Sequence, residues 1–282
     1  MGSVFGVSAG EVKSSRSYAR LVAGARTLLD TLYPPHCLAC DAQVQDPGTL
    51  CGQCWSSTPF VDGLACDKCG IPLLGDKDDG GALCDDCLTV ARPWSHGRSA
   101  LVYGNVARQM VLALKYGDRH DIAAPAGRWM ARKVAPLIRS DTIIVPVPLH
   151  RLRLFKRRYN QSALLAATLA RVVDRPHIAD LLLRTRRTTT QDGRTRAGRF
   201  ENLQGAIAAQ PKRASQIEGR HVLLVDDVMT SGATLAAATE ACFQAGADDV
   251  DVEGGQGPAE LGHAVGPTGR VGAGHATRPC WA

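Results

Sequence analysis

Apolar positions follow two different rhythms along this chain, and one stretch follows neither. In 17–33, Leu21, Ala25, Leu28, Leu29 and Leu32 recur near helical spacing and predict a lead-in helix, which Pro34-Pro35 ends. Residues 37–90 show no periodicity; Gly, Asp and paired Cys predict turns. SALVYG at 99–104 predicts a short strand. NVARQMVLALKYGD at 105–118 predicts an amphipathic helix closed by Gly117, and a second helix is predicted over 122–139. DTIIVPVP at 141–148 opens as a buried strand, since Ile143, Ile144, Val145 and Val147 are β-branched, and its prolines stop ladder pairing. YNQSALLAATLARVV at 159–173 reads as helix. HVLLVDD at 221–227 is a continuous apolar strand ending in two acids. The segment 232–247 reads as a helix with Gly246 at its C-terminal cap, and DDVDV follows as another strand. This β-α-β rhythm predicts an α/β fold with a parallel sheet.

The length of 282 residues and 45% hydrophobic content suit one large domain or two ordinary ones. No run of 18 apolar residues occurs, so no membrane insertion is expected. The N-terminal stretch lacks a basic start followed by an apolar run, and Gly6 breaks the myristoylation pattern. A cytoplasmic location with reduced thiols is the expectation.

Charge divides the chain. From 37 to 90 there are nine Asp or Glu against two Lys, a net −7; from 146 to 220 there are sixteen Lys or Arg against five acids, a net +11. Two modules follow, and the basic one should meet an anionic partner.

Eight of the ten cysteines form four C-x2-C pairs: Cys37/Cys40, Cys51/Cys54, Cys66/Cys69 and Cys84/Cys87. Each spacing lets one tight turn present two thiolates to one metal, and two turns complete a tetrahedral four-cysteine site. Two structural Zn2+ ions are expected. Pairing in sequence order is the simpler arrangement; an interleaved cross-brace is the alternative. With all ligands filled, such zincs fold the module rather than catalyse. His36 and His96 flank it and read as surface residues, and Cys242 as buried packing.

The strongest chemical signal is the string from Val222 to Thr234, VLLVDDVMTSGAT. A buried strand delivers Asp226 and Asp227 at its carboxyl end, where parallel sheets bind ligands. A loop of Thr, Ser and Gly then opens a helix whose N-terminus and backbone N–H groups suit a phosphate monoester. Two adjacent acids before such a cradle fit a sugar with vicinal hydroxyls, with Mg2+ nearby. The string thus describes a ribose 5-phosphate site. Neither a Walker A loop nor G-x-G-x-x-G is present.

This string resembles the 5-phosphoribosyl-1-pyrophosphate (PRPP) signature of type I phosphoribosyltransferases. The resemblance implies that Asp226 and Asp227 contact the ribose hydroxyls. It implies that Met229, Thr230, Ser231, Gly232, Ala233 and Thr234 hold the 5-phosphate. LKYGD at 114–118, VPVPLHRLRLFKRRYNQSALLA at 145–166, and Gln191, Arg199, Asn202, Gly205 and Ala206 resemble the ComF family. Its members are competence-associated proteins with a double zinc ribbon and a phosphoribosyltransferase-like domain. The loop after VPVP faces pyrophosphate in these folds. Here it carries Arg151, Arg153, Lys156, Arg157 and Arg158, whose guanidinium forks match phosphate oxygens. Arg151, Arg157 and Lys115 are the candidates, and the family usually has a small residue where Arg158 stands. Tyr159 and Asn160 are expected to pack and cap. The arginine-rich stretch 184–202 reads as a hood over substrate or an arm facing nucleic acid.

The resemblance implies an organisation of a lead-in segment at 1–36, a double zinc ribbon at 37–92, a phosphoribosyltransferase-like domain at 93–252 and a Gly-rich tail at 253–282. It implies displacement at ribose C1 with pyrophosphate leaving. A non-catalytic PRPP or nucleotide sensor is one rival reading, and an accessory to uptake of single-stranded DNA that meets other competence proteins is another. It also implies that VDV at 250–252 continues as an apolar strand, yet EGGQGPAELGHAVG follows. A shift of reading frame near Glu253, truncating the last strand, is the expectation; a natural disordered tail is the alternative. Reading the coding DNA in its other frames decides between them.

Overall fold

The structure is a computed structural model, and it describes residues 33–75, 81–149, 154–155, 158–186, 203 and 205–256. The lead-in helix apart from Tyr33, and the tail beyond 256, lie outside the described residues.

Four parallel strands form the main sheet: β1 (Gly97–Arg98), β2 (Ile143–Pro146), β5 (His221–Met229) and β6 (Asp249–Gln256), in the order β1-β6-β5-β2. The short strands β3 (Leu182–Arg184) and β4 (Ile207–Ala209) pair antiparallel in a sheet of their own, and the short helix α6 (Pro211–Ala214) follows them. Strand β5 is central, and Val222, Leu223, Leu224 and Val225 are all fully buried, because each face of the sheet is covered. Side chains alternate across it. Val222 and Leu224 pack with Ile143, Val145 and the Ala-rich helix α7 (Ala233–Gln244). Leu223 and Val225 pack with Ile144 and with α4 (Ala123–Val134) and α5 (Gln161–Val173). The result is the expected α/β architecture, helices on both faces of a parallel sheet.

Most predicted elements form, with shifted ends. Helix α3 (Asn105–Tyr116) ends on Gly117, and α5 starts where the Asn160 side chain accepts the Ser162 N–H. Tyr159 packs, donating its hydroxyl to the Leu114 carbonyl at 2.5 Å. The predicted helix over 122–139 stops at Val134, where a 3-10 turn containing Pro136 takes over. The predicted strand at 99–104 is displaced: β1 lies at Gly97–Arg98, and Leu101 instead bridges Phe60 of the cysteine-rich module. The last strand is not truncated at Glu253. It continues to Gln256, with Gly255 paired to Val228 beyond an irregularity in β5.

The cysteine-rich module precedes the sheet and docks on it in two places. Its first half places Cys37, Leu38 and Cys54 against Val106, Met110 and Ile122. Its second half buries Cys66, Cys69, Cys87 and Trp94 in the cluster under α7. Two short helices, α1 (Gly52–Ser56) and α2 (Asp85–Thr89), each begin directly after a cysteine, Cys51 and Cys84.

His96 is not the plain surface residue expected. Its ring Nδ1 lies 3.1 Å from Asp251 Oδ1, and its backbone N–H donates to the same oxygen at 2.8 Å. Asp251 Oδ2 in turn lies 3.0 Å from Nε2 of the buried His221, whose Nδ1 is 2.8 Å from Thr142 Oγ1. Because Thr142 Oγ1 already accepts the Arg139 N–H at 2.7 Å, its proton is free to donate to Nδ1. The network satisfies a buried carboxylate at the amino ends of β5 and β6, the opposite end of the sheet from Asp226 and Asp227.

Candidate functional site

The eight cysteines gather into two clusters: Cys37, Cys40, Cys51 and Cys54, and Cys66, Cys69, Cys84 and Cys87. The pairs combine in sequence order, so the interleaved alternative is not adopted. Within each cluster every sulfur lies within 4.8 Å of the others. The Cys40–Cys51 and Cys69–Cys84 separations are 3.6 and 3.7 Å. Four sulfurs at about 2.3 Å from one zinc are about 3.8 Å apart, so the clusters fit tetrahedral Zn2+. These separations are far beyond a disulfide bond of about 2.05 Å. Backbone N–H groups support the sulfurs: Cys51 N–H points to Cys37 Sγ at 3.3 Å, and Ala39 N–H to the same atom at 3.5 Å. Donors around thiolates offset their charge.

At the carboxyl end of β5 the pairing with β6 is interrupted between Val225 and Val228, so Asp226 and Asp227 sit on an irregularity rather than in the ladder. Asp226 Oδ1 accepts the Ser162 hydroxyl at 2.8 Å and the Asp227 N–H at 2.9 Å. Burial and the neighbouring Asp227 charge push the Asp226 carboxyl up to about 7, against the pull of those two hydrogen bonds and Lys115. Lys115 Nζ, from the last turn of α3, lies 3.0 Å from Asp227 Oδ1. Three elements distant in sequence therefore meet at the acid pair: α3, the first turn of α5, and β5.

The predicted phosphate loop follows directly. Met229 and Ala233 turn their side chains into the core, so they offer only backbone to a ligand. Thr230 is exposed and Thr234 half-buried. Ser231 is buried, and its Oγ accepts the Ala233 N–H at 3.4 Å. Gly232 caps α7 with φ +78°, a conformation that favours glycine. Arg151 and Arg157 lie outside the described residues, as do Gln191, Arg199 and Asn202.

Sequence reasoning missed Ser162, whose signal was its place in the first turn of a helix that the YNQS string begins. It also missed Glu253. That side chain is 1% exposed, and its Oε2 has no partner among the described residues. Burial holds its carboxyl well above the usual range, opposed by the Ala100 N–H and reinforced by Asp226. It lines an apolar cleft together with Asp226, Asp227, Leu114 and Trp129.

A family model for the double zinc ribbon domain matches residues 28–88, and one for the phosphoribosyl transferase domain matches 160–251. DNA utilization protein YhgH of Shigella flexneri is 30% identical over 209 residues, covering 72% of this chain and 88% of the relative. The chain belongs to the ComF family. Competence protein F of Haemophilus influenzae is 25% identical, over 78% of this chain and 83% of its own. Competence protein ComFC of Bacillus subtilis is 27% identical, over 74% and 89%. This ComF-family chain thus couples two structural zinc sites to a phosphoribosyltransferase-like domain. Among the described residues no helix is long and apolar enough to cross a membrane.

Proposed function

We propose that this protein binds PRPP with Mg2+ at the carboxyl end of β5 and transfers the phosphoribosyl group to an acceptor. The observation that carries the reading is the pair Asp226–Asp227 on an irregular strand end, with Lys115 against it and a Thr-Ser-Gly loop opening α7 directly after it. Ribose hydroxyls would donate to Asp226 and Asp227. Thr230, Ser231, Gly232 and Thr234, with the backbone of Met229 and Ala233, would hold the 5-phosphate at the positive end of α7. Lys115, Arg151 and Arg157 would face pyrophosphate. Bound Mg2+ would offset pyrophosphate charge as it leaves.

In the reaction the bond from ribose C1 to the pyrophosphate oxygen breaks and a bond from C1 to the acceptor forms. The acceptor loses a proton, and pyrophosphate departs with the electron pair. The protein's contribution is positioning and charge compensation, with no side-chain nucleophile. The test is incubation with PRPP, Mg2+ and a panel of nucleobases, measuring pyrophosphate release. Base-dependent release supports transfer. Tight PRPP binding without release would instead leave a sensor.

A second reading concerns setting. The relatives carry names tied to competence and DNA utilization, and the 146–220 segment carries a net charge of +11. Both favour a role beside single-stranded DNA during uptake, through phosphate contacts. Titrating single-stranded DNA across salt tests it; no affinity at low salt removes the idea.

A further inference from the structure

Arg92 lies five residues beyond Cys87 and reaches in two directions. Its Nη1 donates to the Ser231 carbonyl at 2.6 Å, spanning 139 positions of chain. The same guanidinium lies over the Trp94 ring, 5.5 Å from its centre. Trp94 is itself fixed: it is 1% exposed, and its Nε1 donates to the Lys68 carbonyl at 2.6 Å, between Cys66 and Cys69 in the chain. The loop rests directly on this pair. A Cβ added to Gly232 would meet Arg92 Nη1 at 2.6 Å and the Trp94 ring at 3.0 Å.

We propose that Arg92 is a positioning residue that fastens the Ser231–Gly232 peptide of the phosphate loop to the second four-cysteine site, so that zinc in that site sets the loop. The proposal rests on the loop's reading as a phosphate cradle. A trans peptide is planar, with its C=O and N–H pointing in opposite directions. Holding the Ser231 carbonyl against Arg92 therefore directs the Gly232 N–H away from the zinc module. Glycine at position 232 makes rotation of this peptide sterically cheap. Rotation would replace a donor with a carbonyl oxygen on the ligand side, which repels phosphate. The charge-assisted hydrogen bond from Arg92 opposes that rotation. Trp94, held to the Lys68 carbonyl between two cysteines of the second site, backs the other side of the guanidinium. Four thiolates around one Zn2+ carry a net charge of −2, a strong partner for an arginine half-enclosed by protein. Loss of the metal loosens that anchor and, through it, the loop.

The test uses the full chain and three measurements: zinc per chain, hydrogen exchange of the segment 228–236, and calorimetric titration with ribose 5-phosphate. Arg92→Ala should keep two zincs and exchange faster in 228–236, about tenfold for one charge-assisted hydrogen bond, with a similar fall in ribose 5-phosphate affinity. Arg92→Lys, which keeps the charge but loses the fork, should recover part of the protection. Cys66→Ser, which empties the second site, should accelerate the same segment, and adding Arg92→Ala should accelerate it little further. Wild-type exchange in Arg92→Ala, or fully additive effects of the two changes, would overturn the proposal. If Arg92→Ala fails to hold zinc, Arg92→Lys decides: unchanged exchange in 228–236 overturns the proposal and faster exchange supports it. Failure of the unaltered protein to bind ribose 5-phosphate would strike the phosphate reading alone, because exchange still reports on Arg92.

Discussion

Replacing Asp226 by Asn should remove a pH-dependent weakness from the fold. Asp226 Oδ1 accepts both the Ser162 hydroxyl and the Asp227 N–H, and an asparagine oxygen can accept the same two bonds. What the substitution removes is a charge. Burial beside Asp227 raises the carboxyl from 3.8 to about 7. Between those values the folded protein keeps a proton that the unfolded chain has released. Stability contributed by this group is therefore greatest at low pH, falls as pH rises through the window, and levels off above about 7. Three pKa units correspond to about 4 kcal/mol. The side chain is only partly buried, and solvent screening cuts the expected effect to roughly 2 kcal/mol. Urea unfolding of both proteins at intervals from pH 5 to 8, with zinc present, measures it. The two zinc sites contribute equally to both proteins and cancel in the difference. Asp226→Asn should gain roughly 1 kcal/mol on the unaltered protein between pH 5 and 8, the rest of the window lying below pH 5. A difference that stays constant with pH would refute the reasoning.

Glu253→Gln keeps an acceptor for the Ala100 N–H and removes a carboxyl that burial keeps protonated in the fold while the unfolded chain gives up its proton. It should stabilise the protein by about 1–3 kcal/mol at pH 8, and by less at pH 5, in the same unfolding assay. Arg158 adopts φ +66°, a strained conformation for a side-chain-bearing residue. Arg158→Gly should raise unfolding free energy by about 1 kcal/mol, read from the shift in urea midpoint. Stripping zinc with a chelator should unfold the cysteine module and also loosen α7, because Cys66, Cys69 and Cys87 belong to the cluster beneath it. Circular dichroism and hydrogen exchange over 233–244 would show both effects, and unchanged exchange there would separate the module from the sheet.

Much of the site was legible because its chemistry is local in sequence. Four C-x2-C pairs announce metal sites, and VLLVDDVMTSGAT carries strand, acids, loop and helix start in thirteen consecutive residues. What lay hidden depends on contacts between distant segments. Ser162 meets Asp226 across 64 positions, and Arg92 meets Ser231 across 139, so neither partner has a local signal. The strand near residue 100 was misplaced for a similar reason. SALVYG has the apolar content of a strand, but docking of the cysteine module carries Gly97–Arg98 onto β6 and turns Leu101 to Phe60 instead. Glu253 reads in sequence as the first residue of the Gly-rich tail, whereas pairing with Val225 holds the chain extended and forces the carboxyl inside. Backbone pairing overrode side-chain preference there, and the unpartnered oxygen is the consequence.

The central claim is that the Asp226–Asp227 end of β5 is a PRPP site, and calorimetric titration of Mg2+–PRPP tests it most directly. The unaltered protein should bind one PRPP per chain. Asp227→Asn, which keeps the size of the side chain but loses the charged acceptor beside Lys115, should bind about tenfold or more weakly while retaining two zincs. No binding by the unaltered protein, or equal binding by both, would contradict the account.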